Sequence, residues 1–194
     1  MLPNRAQKST LWLAHVRVLY DGEKEPRDGD PAMAKTNDTA GVIAPPPLLA
    51  VAVIALGPLL DWLAPAYVLS LMLSVTERIM FPIILIGGGA TMGYAAIKAF
   101  RAAGTRVEPW QPSTALVKEG VFVWMRNPMY VGGFLILAGL SIALASDWML
   151  VLTFLLVPVM HYGVVKREDR YLAAKFGEPY VAYMAQVSRY GWPF

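Results

Sequence analysis

"MYVGGFLILAGLSIALASDWMLVLTFLLVPVMHYGVV", residues 129–165, decides how the chain is read. Asp147 divides it into two uncharged runs, Met129–Ser146 and Trp148–Val165, of 18 residues each. At about 1.5 Å of rise per residue each run extends about 27 Å, close to the ~30 Å of a hydrocarbon core. With one charged residue between them, the two runs are expected to pair as an antiparallel membrane hairpin. Residues just before 129 and just after 165 would then emerge on the same face of the bilayer.

Two further apolar segments lie upstream. Ile79–Ile97 is an uncharged stretch of 19 residues bracketed by Arg78 and Lys98. Another begins near Leu48 after "APPP", meets Asp61 and Trp62, and continues as "LAPAYVLSLMLSV". The chain as a whole is 56% hydrophobic and 16% charged over 194 residues, with a mean hydropathy of +0.45. That composition lies outside soluble usage. The expected fold is an all-α integral membrane protein with four transmembrane helices, at about 48–69, 79–100, 129–146 and 148–165. A cytoplasmic C-terminal amphipathic helix follows, built on Tyr171, Leu172, Phe176, Tyr180, Tyr183 and Met184 around the breaker "GEP". Together these make one membrane domain, residues 47–194.

Residues 1–46 differ, with six Lys/Arg and six Asp/Glu. Their one apolar patch, Leu11–Ala14, is too short for a signal-peptide core, so no cleavage is expected. Residues 21–41 bury too little apolar surface to offset the entropy of ordering, and the extension is expected to be disordered. The linker from Lys98 to Arg126 carries five Lys/Arg, and the tail from Lys166 another five. By the positive-inside rule both termini and this linker are expected to face the cytoplasm, with the helices crossing a cell (inner) membrane. The linker's turn residues suggest that it folds back over the hairpin end.

There are no cysteines and only two histidines, His15 and His161, which excludes thiolate chemistry and makes a histidine metal site improbable. Basic residues flank the apolar segments instead of forming a stripe, so no nucleic-acid partner is expected. Gly89 and Gly93 form a small-xxx-small pair suited to close helix packing.

The candidate site lies where the hairpin opens. Asn127 and Pro128 read as a helix start, since Asn caps well and Pro loses nothing in the first turn. The free N–H groups there, with Arg126 beside them, would cradle a carboxylate or phosphate. The returning segment brings Glu168 and Asp169 to the same level. A basic cradle facing an acidic pair favours a polar ligand that is both cationic and anionic. His161, about two turns before Glu168, is read first as a neutral histidine hydrogen-bonded across the hairpin and second as a general base.

Taken in order, "AGT" (103–105), "PSTALVKEGVFVWMRNPMY" (112–130) and "VVKREDRYLAAKFGEPYVAY" (164–183) resemble the isoprenylcysteine carboxyl methyltransferase and phospholipid methyltransferase superfamily of integral membrane enzymes, over about residues 85–190. The resemblance implies S-adenosyl-L-methionine as cofactor, bound at the cytoplasmic end of the bundle, and a lipophilic substrate arriving from the bilayer. It matches the family's Arg-His-Pro-x-Tyr pattern to Arg126, Asn127, Pro128, Met129 and Tyr130. Its acidic pair falls on Glu168 and Asp169, and its Leu-Val and aromatic positions on Leu116, Val117 and Phe122. Leu116, Val117, Phe122, Asn127, Pro128, Met129, Tyr130 and Glu168 are thereby expected to bind the cofactor, with Glu168 and Arg126 as the catalytic pair. Asn127 stands where the family has histidine. Carboxyl methyltransferases carry an arginine four residues before the first acid, and here that position is Val164. The implied activity is methyl transfer to a lipophilic acceptor. A phospholipid amine or small thiol acceptor is the alternative, as is a non-enzymatic membrane protein.

Overall fold

The computed structural model describes residues 39–191, so the disorder expected of residues 1–38 lies outside the described part. All regular structure among the described residues is helical, without strands. Three helices are long and apolar enough to cross a bilayer, Pro46–Leu63, Val75–Ala102 and the continuous stretch Asp147–Phe176, while Pro128–Ala143 is apolar but shorter.

Helix α1, Pro46–Leu63, starts on a Pro pair that needs no N–H partner in the first turn. It stops six residues before the expected boundary because Pro65 cannot donate to a continuing ladder. The short α2, Val68–Met72, takes up the remaining apolar residues. Asp147 anchors it by accepting from the N–H groups of Val68 and Leu69, at 3.0 and 2.9 Å. Helix α3, Val75–Ala102, begins a turn earlier than hydropathy suggested, on a capping box between Ser74 and Glu77. At 28 residues it is about 42 Å long.

Helix α4, Pro128–Ala143, and helix α5, Asp147–Met160, are the two halves of the opening stretch. They touch, but each packs more extensively on another helix: α4 on α3, and α5 on α1. Glycine explains the first preference. A Cβ on Gly89 would stand 2.5 Å from the Gly132 carbonyl oxygen, and one on Gly132 2.7 Å from that of Gly89. Gly93 has open space where its Cβ would be, so the partner of Gly89 lies across the interface and not one turn along α3. On the other side, Gly57 of α1 lies against Met149 of α5. Val53, Leu137, Met149, Leu156, Met160 and Val164 form the buried core, and Trp62, Ile83, Phe154 and Leu155 stay exposed on the outside, as lipid-facing side chains would.

Beyond Met160 the helix passes through a π-helical turn, His161–Val165, into α6, Lys166–Phe176. Such a turn admits one extra residue, which rotates every later side chain by about 100° relative to an unbroken α-helix. Gly177, at φ +60°, ends α6, and α7, Glu178–Gln186, turns away from it.

Gly132→Val should force α3 and α4 apart and destabilise the protein by about 1–3 kcal/mol. Gly93→Ala should leave stability unchanged or slightly raised. Thermal unfolding in detergent measures both, and equal losses would show that the Gly89–Gly132 contact is not special.

Candidate active site

At the end of the bundle where α4 begins and α6 starts, a cavity of about 390 Å³ opens. This is within the range of small-molecule sites. Leu116, Val117, Phe122, Arg126, Asn127, Pro128, Met129, Tyr130 and Glu168, all singled out from sequence, line it together. Phe122 sits in a 3₁₀ turn, Gly120–Val123, buried edge-on against Phe100 of α3 with ring centroids 5.0 Å apart.

The two acids have separate environments. Asp169 is buried, with one carboxylate oxygen accepting from Arg126 Nη1 at 2.8 Å and from the Tyr180 hydroxyl at 2.6 Å. Its other oxygen accepts from Arg189 Nε at 2.7 Å. Glu168 accepts from the Tyr130 hydroxyl at 2.8 Å through one oxygen, and its second oxygen has no partner among the described residues. Burial, with Asp169 alongside, holds the Tyr180 hydroxyl well above the ordinary tyrosine range, and burial pushes Tyr183 up to about 12. Both phenols therefore remain donors at neutral pH. Tyr183 donates to the Phe122 carbonyl at 2.7 Å, which fixes that ring's backbone.

Two expectations require correction. Helix α4 does start at Pro128, but the Asn127 side chain does not cap it. The chain after α7 runs alongside residues 126–127, where Arg126 N–H donates to the Ser188 carbonyl at 2.9 Å and Asn127 N–H to that of Arg189 at 3.1 Å. The Asn127 amide joins this pairing by donating to the Arg189 carbonyl at 3.3 Å. His161 bonds Tyr190, at 2.8 Å, not a group across the hairpin, and it is not among the cavity-lining residues. Arg126 lies in the cavity wall, but its side chain is 6% exposed and its charge is met by Asp169. The backbone N–H groups of Met129 and Tyr130 find no backbone acceptor among the described residues.

Val164 is fully buried in the core, and Arg167 donates away from the cavity to the Gly41 carbonyl at 2.9 Å. Sequence reasoning missed Arg106, Glu108, Trp110, Phe134 and Tyr180 as lining residues. For the first three the signal was present in the turn-rich linker, which does fold back: Ser113 N–H donates to the Tyr171 hydroxyl of α6 at 3.2 Å. Tyr180 had been read only as part of an apolar stripe.

A largely apolar cavity that also presents Arg126, Glu168 and Asp169, at one end of an apolar helix bundle, can admit both a polar ligand and a lipid. The family model of phospholipid methyltransferases matches residues 77–179, more than half of the chain, and the chain belongs to that family. It is a membrane methyltransferase that uses S-adenosyl-L-methionine as methyl donor. No curated protein and no solved structure matches the chain significantly.

Asp169→Asn leaves the buried Arg126 without its counter-charge and should cost about 3–5 kcal/mol. Arg189→Ala, at a side chain 37% exposed, should cost much less. Unfolding in mixed micelles measures the difference, and a loss for Asp169→Asn no larger than for Arg189→Ala would remove Asp169 from the centre of the site.

Proposed function

We propose that the protein methylates the amine of a membrane phospholipid, with Glu168 and the first turn of α4 holding the methyl donor. The carrying observation is that one cavity joins a half-partnered carboxylate, unpaired helix N–H groups and an apolar wall. The wall includes Ala50 of α1, Phe134 and Leu137 of α4, and Leu156 and Met160 of α5.

The residues present fit S-adenosyl-L-methionine. The free N–H groups of Met129 and Tyr130 suit its carboxylate, the open oxygen of Glu168 suits its ammonium or ribose hydroxyls, and Leu116, Val117 and Phe122 suit its adenine. When bound, it supplies an electrophilic methyl group on a sulfonium with a neutral leaving group. An ammonium headgroup must first give up a proton so that its nitrogen lone pair can attack as the S–CH3 bond breaks. Beyond that, the protein's own contribution is alignment and exclusion of water, with effective molarity supplying at most roughly 7–11 kcal/mol. Arg126, expected as half of a catalytic pair, is assigned here to positioning, because Asp169 already engages it.

A carboxylate acceptor would need a cation near the first acid. Val164 is buried apolar and Arg167 is turned to Gly41, so an amine acceptor is favoured over the carboxyl group of a prenylated cysteine.

The same reading makes all four apolar helices membrane-crossing, with both chain termini and the cavity end on the cytoplasmic side. In this cysteine-free chain, single cysteines at Lys118 and Leu71 should label from opposite faces of sealed vesicles. Labelling from the same face would overturn the topology.

Calorimetry with S-adenosylhomocysteine in detergent should show binding that Glu168→Ala weakens about 10–100-fold. In proteoliposomes given methyl-labelled donor, label should enter phosphatidylethanolamine in preference to a farnesylcysteine analogue. Unaltered binding by the Glu168 variant would reject the donor site, and label confined to the farnesylcysteine analogue would reject the amine acceptor.

A further inference from the structure

The α3–α4 loop supplies a second polar corner of the cavity. Glu108, Pro109, Trp110 and Gln111 form a β-turn in which Gln111 N–H donates to the Glu108 carbonyl at 3.1 Å. Pro109 presets the turn's first central position. At the base of the loop, Thr105 Oγ1 accepts from the N–H groups of Thr114 and Ala115 at 3.0 and 3.3 Å, and Thr114 Oγ1 donates back to the Gly104 carbonyl at 3.2 Å. The Arg106 side chain bonds that of Gln111. The loop is therefore built, and it holds the half-buried Glu108 and the indole of Trp110 in the cavity wall. The Glu108 carboxylate has no hydrogen-bond or ion-pair partner among the described residues, although Arg106 is two positions away.

We propose that Glu108 and Trp110 form the subsite for the cationic amine headgroup of the acceptor phospholipid; this rests on the amine reading above. An unpaired carboxylate and an indole lining the same cavity are the combination that recognises ammonium groups. The carboxylate takes N–H donors, and the ring attracts the charge and the N-methyl groups that replace them. Of the other charged groups in the wall, Arg126 and Asp169 are paired with each other, and Arg106 bonds the neutral Gln111 side chain. Glu168 serves the donor, so Glu108 is the acid left for a second cation. A lipid is favoured over a free small amine because the cavity continues along apolar side chains of α1, α4 and α5.

The test uses full-length protein in nanodiscs saturated with S-adenosylhomocysteine. Calorimetric binding of glycerophosphoethanolamine should weaken about tenfold in Glu108→Gln. Trp110→Leu should weaken it about fivefold, with Trp110→Phe restoring most of it. In proteoliposomes the same variants should raise the KM for phosphatidylethanolamine by similar factors, while S-adenosylhomocysteine affinity stays within about twofold. Glycerophosphoglycerol, which has no amine, should bind all variants equally.

Wild-type methylation of phosphatidylethanolamine with an unchanged KM in Glu108→Gln would overturn this subsite and leave the amine reading standing. Absence of any wild-type methylation of that lipid would instead reject the amine reading. Variants that weaken S-adenosylhomocysteine as much as the headgroup would place Glu108 in the donor's site and overturn the inference. Methylation of free ethanolamine with no preference for the phospholipid would overturn the choice of a lipid.

Discussion

Asp169 holds the cavity end of the molecule together. Its carboxylate gathers Arg126 from the residue pair before α4, Tyr180 from α7 and Arg189 from the segment after it, four parts of the chain counting its own helix. Taking a carboxylate and a guanidinium out of water is costly, and the cost is offset only where the remaining lone pairs also find donors. Here they do. The same interaction changes the electrostatics of the cavity. Arg126 reads from sequence as a free cation for an anionic ligand, but Asp169 neutralises it. Among the described residues, the acids left around the cavity without a cationic partner are Glu168, which accepts only from Tyr130, and Glu108, while Arg106 bonds the neutral Gln111 and the backbone N–H groups at the start of α4 remain open. That balance suits cationic ligands.

The apolar helices were legible because an uncharged run of this length has few alternatives, although one of the four, Pro128–Ala143, is shorter than the candidate spans. The residues lining the candidate cavity were legible because they cluster at two helix boundaries. Contacts that depend on three-dimensional approach were not. The Gly89–Gly132 pairing makes α3, not α5, the main neighbour of α4, and no periodicity within α3 shows which glycine meets a backbone across the interface. Proline and capping effects shifted helix ends: Pro65 shortened α1, and Ser74 with Glu77 lengthened α3 into residues too polar for hydropathy to include.

The π-helical turn at His161–Val165 limited the reading most. Counting 3.6 residues per turn from His161 to Glu168 assumes an unbroken helix, and one inserted residue rotates the acids by about 100°. Gly163 in this turn lies so close to Ile43 that a Cβ would stand 2.3 Å from its side chain, and Ile43 N–H donates to the Gly163 carbonyl at 3.2 Å. A neighbour 120 residues away in sequence thus accompanies the distortion that sets the direction of Glu168. Asn127 illustrates the same limit, because its capping preference is local and the Arg189 carbonyl that takes its amide is not.

On the proposed reading, a sulfonium donor and an ammonium headgroup would meet in one cavity and set two positive charges against each other. At 4 Å, with an effective dielectric constant of 20, that repulsion is about 4 kcal/mol. A cavity with free arginines would add to it. Here Asp169 neutralises Arg126, while Arg106 keeps its charge beside the neutral Gln111, and two carboxylates can offset the cations, one on α6 and one on the α3–α4 loop. Each can serve one cation. On the same reading, the headgroup nitrogen would first give up a proton to free its lone pair, and transfer would then turn the sulfonium into a neutral thioether and restore a cationic, methylated ammonium for the loop carboxylate to hold.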